Sequence, residues 1–263
     1  MLLLIDAGNT RIKWALAAAE ADAAQMSAGW LQSGAVARAD WAQLPGIWRA
    51  AGSAVRRVLV SNVAGAALRD QLLASFAQLH TDAGAAPQIE WLVSQAQLGG
   101  VRNGYRQPAQ LGCDRFASAI GAHALFPAEA LVVATCGTAT TIDAIAPDGH
   151  FIGGMILPGL GLMATSLALN TAQLPQVSEV ALSAALFADN TEQAIVSGCI
   201  AAQVGAIERA VQRHRQAHAG VRCILAGGAA DYLTVHLEVP HERLDNLVLI
   251  GLHVLAKAYP NLC

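Results

Sequence analysis

The stretch DAGNTRIK (residues 6–13) decides the fold, because it turns the chain between two apolar runs, residues 2–5 and 12–16. Short apolar runs on both sides of a turn that contains glycine predict a strand, a tight turn and a returning strand. A second stretch, CGTATTID (residues 136–143), repeats the arrangement, again between apolar runs. The repetition predicts two halves that each open with a β-hairpin.

The remaining pattern predicts an α/β fold with helices flanking mixed sheets. After the first hairpin, a strand at 58–60, a helix at 64–79, a strand at 89–93, a loop at 94–111 and a helix at 114–126 are predicted. After the second hairpin, the prediction gives a strand at 151–156, a helix at 190–214, a strand at 223–226 and a helix at 244–259. No shift in composition marks a linker, so we place the boundary near Pro127, with halves at 1–127 and 128–263.

Composition excludes several classes of protein. Of the 263 residues, 54% are hydrophobic and only 13% charged, which excludes intrinsic disorder. The net charge of -3, without a Lys/Arg run longer than two, argues against nucleic-acid binding. Residues 151–178 are uncharged and long enough to span a membrane, but Gly153, Pro158 and Pro175 favour a buried strand, turn and helix.

Two features of the sequence predict the cytoplasm. The apolar start MLLLI has no basic leader and is too short for a secretory signal. The five cysteines are an odd number without a CxxC pair, a pattern typical of reduced thiols.

The first turn has the side chains that a polyphosphate requires. A carboxylate at the end of a strand, Asp6, can hold a hydrated divalent cation, and Gly8 lets the backbone approach phosphate. Lys13 adds a positive charge. The alternative is an ordinary turn whose polar side chains cap their own backbone. The second turn favours phosphate binding, because two opposed hairpins could hold one phosphate chain.

Two other segments can carry chemistry. ILAGGAA (residues 224–230) places two glycines after a buried strand, where a base or ribose could lie against bare backbone, although a glycine helix start without a ligand fits too. In GCDR (residues 112–115), the helix dipole and Arg115 should hold the Asp114 carboxylate ionised, ready to accept a proton. The alternative role for Asp114 is a helix cap with a surface ion pair.

The three turns, in this order, resemble those of the acetate and sugar kinase, heat-shock ATPase and actin superfamily. That resemblance implies a duplicated ribonuclease H-like fold with ATP in a central cleft. The longer motifs VRNGYRQPAQLGCDR (residues 101–115), GTATTID (137–143) and GGMILPG (153–159) resemble the type III pantothenate kinase family. This second resemblance implies ATP-dependent phosphorylation of pantothenate to 4′-phosphopantothenate, the first step of coenzyme A biosynthesis.

The family resemblance also implies roles for individual residues. Asp114 matches the catalytic base, and Asp6 lies near Mg²⁺, held through water or phosphate. The pantothenate site is implied to comprise Tyr105, Gly112, Cys113, Asp114, Arg115 and Thr191, with Cys113 a small packing residue in that motif. The ATP site is implied to comprise Asp6, Ala7, Gly8, Asn9, Thr10, Arg11, Ile12, Lys13 and Thr138.

One position departs from the family pattern. Many members carry an aspartate two residues before the glycine of the second turn, associated with a monovalent cation (K⁺ or NH₄⁺), and this chain has Thr135 there. The need for that cation, and its site, are therefore open. The resemblance also implies a homodimer. Two alternatives stay open: a regulatory or accessory nucleotide-binding protein, and a kinase of another small hydroxylated or carboxylate acceptor.

Overall fold

The computed structural model describes residues 1–18, 29–50, 55–79, 86–177 and 185–259. The chain forms two compact units, one of Met1–Pro127 with Asn246–Cys263 and the other of Ala128–Asp245. Four cysteines within the described residues have free thiols, and the fifth, Cys263, lies outside them.

The first unit is built on a five-stranded sheet. Its elements are β1 (Leu2–Ala7), β2 (Arg11–Ala17), β3 (Gln32–Ala37), α1 (Leu44–Ala50), β4 (Arg57–Asn62), α2 (Ala66–Phe76) and β5 (Gln88–Trp91). The strand order is β3-β2-β1-β4-β5, with β2 antiparallel to β1 and β4 parallel to it. Residues 2–5 are all buried, and Trp48 of α1 and Phe76 of α2 pack in the same core as Leu3 and Ile5.

A hairpin and a helix complete the described chain up to Pro127. These are β6 (Gln97–Leu98), β7 (Val101–Asn103) and α3 (Cys113–Leu125). The hairpin lies in the segment predicted to be a loop. Its strands are too short to show periodicity, and Gly99 and Gly100 close it with positive φ angles of 58° and 81°.

The second unit repeats the first. Its elements are β8 (Leu131–Cys136), β9 (Ala139–Ile145), β10 (His150–Pro158), α4 (Leu160–Asn170), α5 (Thr191–Arg215), β11 (Arg222–Ala226), α6 (Asp231–Thr234) and β12 (His241–Arg243). Their strand order, β10-β9-β8-β11-β12, matches that of β3-β2-β1-β4-β5 position by position. The fold is therefore a duplicated α/β unit.

The last helix, α7 (Leu247–Ala258), belongs to the first unit, whereas the sequence assigned residues 128–263 to the second half. Two glycines explain the packing. A Cβ atom on Gly251 would lie 1.9 Å from the carbonyl oxygen of Ala117, and one on Gly121 would lie 2.5 Å from that of Leu247. Because these two glycines have no Cβ atom, the backbones of α3 and α7 approach each other closely. Local sequence patterns do not reveal such a contact between distant residues.

One described helix, α5, is long and apolar enough to cross a membrane by length and composition, and half of its most apolar window is buried inside the protein. The uncharged stretch at 151–178 forms the strand β10 and the helix α4. Contrary to the prediction, much of that strand is exposed, including Ile156 at 66%.

Candidate active site

The first turn joins β1 to β2 and places opposite charges side by side. Strand pairing sets Asp6 directly opposite Lys13 on β2 and opposite Ser61 on β4. The backbone N–H of Gly8 donates to the carbonyl oxygen of Arg11 at 3.1 Å and closes the turn. The predicted phosphate-binding stretch is therefore a tight hairpin with a carboxylate at its base.

The environment of Asp6 disfavours its ionised form. Burial raises the pKa of Asp6 from 3.8 to about 7, Lys13 opposes this rise, and the charge of Asp114 adds to it. Because Asp114 acts on Asp6 electrostatically, the structure brings these two distant carboxylates together in the first unit. A positive charge bound between them would relieve the repulsion.

The N-terminus of α3 holds Asp114 in a fixed position. The backbone N–H of Arg115 donates to Asp114 Oδ1 at 2.8 Å. A Cβ atom on Gly112 would lie 2.6 Å from the same oxygen, so glycine at this position leaves space for the carboxylate. The motif thus selects glycine for a steric reason that the sequence does not display.

The net effect on Asp114 is opposite to the sequence-based expectation. Arg115 lowers the pKa of Asp114 through its N–H and its charge, as expected, but burial is the larger influence and raises it above its ordinary value. A carboxylate with a raised pKa is a stronger base than an exposed aspartate. The Asp114 carboxylate is therefore chemically suited to accept a proton.

Two further predicted residues, Arg115 and Tyr105, are in contact. Arg115 is buried, with 7% of its surface exposed, and its Nη1 donates to the Tyr105 hydroxyl at 2.9 Å. The guanidinium carbon lies 5.7 Å from the centre of the Tyr105 ring. A guanidinium fixed in this way suits an anionic carboxylate ligand.

Cys113 anchors the start of α3 to the end of β4. Its Sγ lies 3.4 Å from Ser61 Oγ and donates to the carbonyl oxygen of Asn62 at 3.6 Å. Burial raises the pKa of the Cys113 thiol, so it is not activated as a nucleophile. Sequence reasoning missed Ser61 and Asn62, although two polar residues directly after the buried run at 58–60 were a usable signal.

The second turn is also closed by a glycine N–H, but it is one residue shorter than the first and lacks the facing charges. The N–H of Gly137 donates to the carbonyl oxygen of Ala139 at 3.0 Å, and Thr138 is exposed at the tip. Thr135 pairs with Thr141 across the hairpin, at the position that corresponds to Asp6 and Lys13 in the first unit. The second turn therefore offers hydroxyl and backbone groups.

Two glycines from distant motifs pack against the second turn. A Cβ atom on Gly159 would lie 2.0 Å from the carbonyl oxygen of Gly137, and one on Gly227 would lie 2.2 Å from that of Cys136. Gly227 was predicted to offer bare backbone to a nucleoside, but its φ of +91° and this contact give it a packing role. Within the described chain, a Cβ atom on Gly228 would meet no atom within 4 Å, so Gly228 keeps the open face.

Thr191 lies in the second unit, as the exposed first residue of α5. It lines a pocket of about 560 Å³ between α4 and α5, whose walls are mainly apolar and include Met163, Leu167 and Ile195. Asn190 caps the helix by accepting the N–H of Gln193 at 3.0 Å. The structure thus places Thr191 on the wall of a cavity large enough for a small molecule.

The donor set bears on metal binding. Within residues 1–18, 29–50, 55–79, 86–177 and 185–259, no group of three or more His, Cys, Asp or Glu side chains could hold a metal ion. Mg²⁺ commonly binds through one or two carboxylates together with substrate phosphates. The Asp6 carboxylate, whose pKa is also influenced by the charge of Asp114, fits that mode of binding.

The sequence is similar to those of one kinase family. The sequence model of the type III pantothenate kinase family matches residues 2–213. A type III pantothenate kinase from Janthinobacterium sp. (strain Marseille) is 58% identical over 100% of both chains, and one from Herminiimonas arsenicoxydans is 59% identical over 97% of both.

A solved structure supports the fold. A protein from Sinorhizobium meliloti described as a 2-dehydro-3-deoxygalactonokinase has a TM-score of 0.61 at 16% identity, covering 99% of this chain and 100% of that one. At this identity the likeness concerns the fold alone. It agrees with the duplicated sheets and confirms the predicted fold class.

Proposed function

Because the chain belongs to the type III pantothenate kinase family, we propose how its residues serve the reaction that this family catalyses. The protein phosphorylates pantothenate with ATP to give 4′-phosphopantothenate, the first step of coenzyme A biosynthesis. Similarity over the full chain carries this assignment, and the residues that the reaction needs are present. The geometry within each unit supports a role for each of them.

Asp114 is the catalytic base. Phosphoryl transfer depends mainly on positioning and charge neutralisation, while a carboxylate near the attacking hydroxyl takes its proton as the new O–P bond forms. The raised pKa of Asp114 and the 2.8 Å hydrogen bond from the Arg115 N–H support this role. Gly112 positions the carboxylate by leaving space beside Oδ1.

Arg115 and Tyr105 bind the pantothenate carboxylate. The guanidinium is buried, charged at all relevant pH values and oriented by the Tyr105 hydroxyl, so it is preorganised for an anion. Thr191, on the wall of the apolar pocket, supplies a further hydroxyl contact to pantothenate. Cys113 belongs to this motif and supports it by packing against Ser61.

The first turn, residues 6–13, binds the phosphates of ATP, and the Thr138 hydroxyl binds the nucleotide from the second turn. The backbone N–H groups of the first turn and Lys13 provide the positive field that phosphates require. Mg²⁺ would be held by Asp6 together with phosphate oxygens, and when bound it supplies charge neutralisation to the transferring phosphoryl group. The repulsion between Asp6 and Asp114 is the feature of this chain that fits a divalent cation.

The monovalent cation is bound weakly. In the second unit, Thr135 occupies the position that corresponds to Asp6, and its neutral hydroxyl attracts K⁺ or NH₄⁺ less than a carboxylate would. We therefore expect a reduced dependence of the rate on these cations.

The kinase is a cytoplasmic homodimer that binds neither nucleic acid nor membrane. Exposed apolar side chains of the second unit, Ile156 at 66% and Leu169 at 77%, support a subunit interface. The free thiols agree with a cytoplasmic protein. The net charge of -3 agrees with a protein that does not bind nucleic acid. Sedimentation of the wild type and of Leu169→Glu tests the dimer, which the substitution should weaken.

Initial rates with a set of acceptors test the function. We expect turnover with pantothenate, ATP and Mg²⁺, none with acetate or a hexose, and at most a modest gain when K⁺ or NH₄⁺ is added. Turnover with another acceptor alone would make this chain a kinase of different specificity. ATP binding by folded protein without turnover of any acceptor would favour a regulatory role.

A further inference from the structure

Arg243, the last residue of β12, makes a dense set of contacts at the end of the second sheet. Its Nε donates to Asp231 Oδ1 at 3.1 Å and its Nη1 to Asp245 Oδ1 at 2.7 Å. Its Nη2 donates to the carbonyl oxygen of Gly227 at 2.9 Å. A single guanidinium thus joins β12, the start of α6 and the glycine turn that follows β11.

That glycine turn lies directly on the second phosphate turn. The N–H of Ala229 donates to the carbonyl oxygen of Cys136 at 3.0 Å. Gly227 packs on the same carbonyl group, with space for hydrogen only. Any shift of Gly227 is therefore transmitted to Cys136, two residues before Thr138, and to the open backbone face at Gly228.

From these contacts we infer that Arg243 is a positioning residue for ATP. Arg243 holds the Gly227–Gly228 turn in place, and the nucleoside lies against the open face of this turn. The inference deepens the proposed function and rests on its placement of ATP at the second turn. Arg243 acts through Gly227 and does not itself contact the nucleotide. It also lies outside residues 2–213, the part of the chain that matches the family model.

The geometry requires arginine. Arg243 donates to two carboxylates and to two carbonyl oxygens, that of Gly227 at 2.9 Å and that of Leu225 at 3.4 Å, and this set matches the planar fork of a guanidinium. A lysine ammonium is a single point of charge and cannot reach all four acceptors together. Lysine should therefore keep the charge but only part of the positioning.

Arg222 provides a matched control. It begins β11, at the opposite end of the same strand pair, and donates to Glu129 at 2.8 Å and Glu242 at 2.9 Å. The exposure of the two arginine side chains is similar, 35% for Arg222 and 27% for Arg243. Both residues thus pair with two carboxylates, but only Arg243 binds the glycine turn.

The test compares Arg243→Gln, Arg243→Lys and Arg222→Gln with wild-type protein. Calorimetry with a non-hydrolysable ATP analogue and Mg²⁺ gives the Kd without any acceptor, and steady-state kinetics give the KM values for ATP and pantothenate. We expect Arg243→Gln to raise the Kd and the KM for ATP about 10-fold and Arg243→Lys about threefold. The KM for pantothenate and kcat should change less than twofold.

Melting temperatures separate positioning from a general loss of stability. We expect Arg222→Gln to lower the melting temperature about as much as Arg243→Gln while leaving the Kd for the analogue unchanged. The inference would be overturned if Arg243→Gln and Arg222→Gln had equal Kd values for the analogue. It would also be overturned if Arg243→Gln raised the KM for ATP and the KM for pantothenate in parallel. Because the Kd needs no acceptor, a wild-type protein that fails to phosphorylate pantothenate would refute the proposed function and leave this test intact.

Discussion

The two phosphate turns occupy equivalent places in the two units and differ in length and in charge. Each follows the first strand of its unit, and each is closed by a glycine N–H, which donates from Gly8 to Arg11 at 3.1 Å and from Gly137 to Ala139 at 3.0 Å. Asp6 faces Lys13 in the first turn, whereas Thr135 faces Thr141 in the second. Duplication has therefore kept the strand order around the turns, and the facing pair of charges lies in the first turn.

The two turns also differ in what surrounds them. A Cβ atom on Gly8 would lie 3.1 Å from the nearest carbonyl oxygen, a contact that a small shift relieves. Around the second turn the corresponding distances are 2.0 Å at Gly159 and 2.2 Å at Gly227. The first turn therefore depends on its side chains for function, and the second depends on tight backbone packing for its shape.

The largest expected effect is that of replacing the catalytic base, Asp114. Asp114→Asn should lower kcat by about 100-fold or more, because an amide cannot accept the hydroxyl proton. The Kd for ATP should stay within a few-fold of the wild-type value. Steady-state kinetics and calorimetry check this pair of results, with Asp70→Asn, a surface carboxylate of the same unit, as the control. Turnover near the wild-type rate would remove Asp114 from the mechanism.

Substitutions at Asp6 and Thr135 test most directly whether the two turns differ in their role. Asp6→Asn should raise the KM for ATP by about 10-fold or more, because one charge-assisted ligand of the metal and phosphates is lost. Thr135→Val, the matched change in the second turn, should alter the KM for ATP by less than about threefold. Equal effects at both positions would contradict the assignment of the charged chemistry to the first turn.

Asp6→Asn should also stabilise the fold at high pH. The pKa of Asp6 is 3.8 ordinarily and about 7 in the folded chain, so the folded state retains a proton that the unfolded state loses. The contribution of Asp6 to stability is therefore complete below pH 4 and is lost as the pH rises through 7. Relative to wild type, Asp6→Asn should gain up to about 4 kcal/mol at pH 8 and little at pH 4. Urea unfolding at both pH values measures this, and a gain that does not depend on pH would show that the buried charge of Asp6 is not its cause.

Glycine substitutions sharpen the difference in packing. Gly227→Ala should lower the free energy of unfolding by about 3 kcal/mol, because the new methyl group overlaps the carbonyl group of Cys136 at a positive φ. Gly8→Ala should cost about 1 kcal/mol. Gly228→Ala, next to Gly227 and open to space, is the control. Urea unfolding of the three variants checks the order, and a Gly8 variant as unstable as the Gly227 variant would be inconsistent with it.

The smallest effect concerns the monovalent cation. Thr135→Asp restores a carboxylate to the second turn, and it should increase the stimulation of the rate by K⁺ up to about fivefold, the range of a partly solvated charge pair. Rates in K⁺ and in a bulky organic cation at equal ionic strength measure the response. An unchanged response would mean that position 135 does not set cation dependence in this chain.

Local patterns could predict the hairpin that opens each unit and the longer helices, because alternating or helical spacing is present in consecutive residues. They could not reveal β12, which has only three residues, or β3, which has few large apolar side chains. The C-terminal helix was assigned to the wrong half, because its partner α3 is recognised only through Gly121 and Gly251. Periodicity reports which face of an element is buried, and it does not report which element covers that face.

Some residues of the candidate site could be predicted from the sequence, and others could not. Asp6, Asp114 and Arg115 stand out in the sequence because charged residues are rare in an apolar chain. Burial determined the direction of the pKa shift at Asp114, and burial is a property of the packed fold. Arg243 could not be identified, since its role depends on a carbonyl oxygen of Gly227, which any residue type would carry.

One assay tests the central claim most directly. Purified wild-type protein and Asp114→Asn are incubated with pantothenate, ATP and Mg²⁺, and the products are identified by mass. We predict that the wild type adds one phosphoryl group to pantothenate and releases one ADP for each product formed, and that the variant, still binding ATP, forms almost none. Folded wild-type protein that binds ATP and leaves pantothenate unmodified would contradict the account.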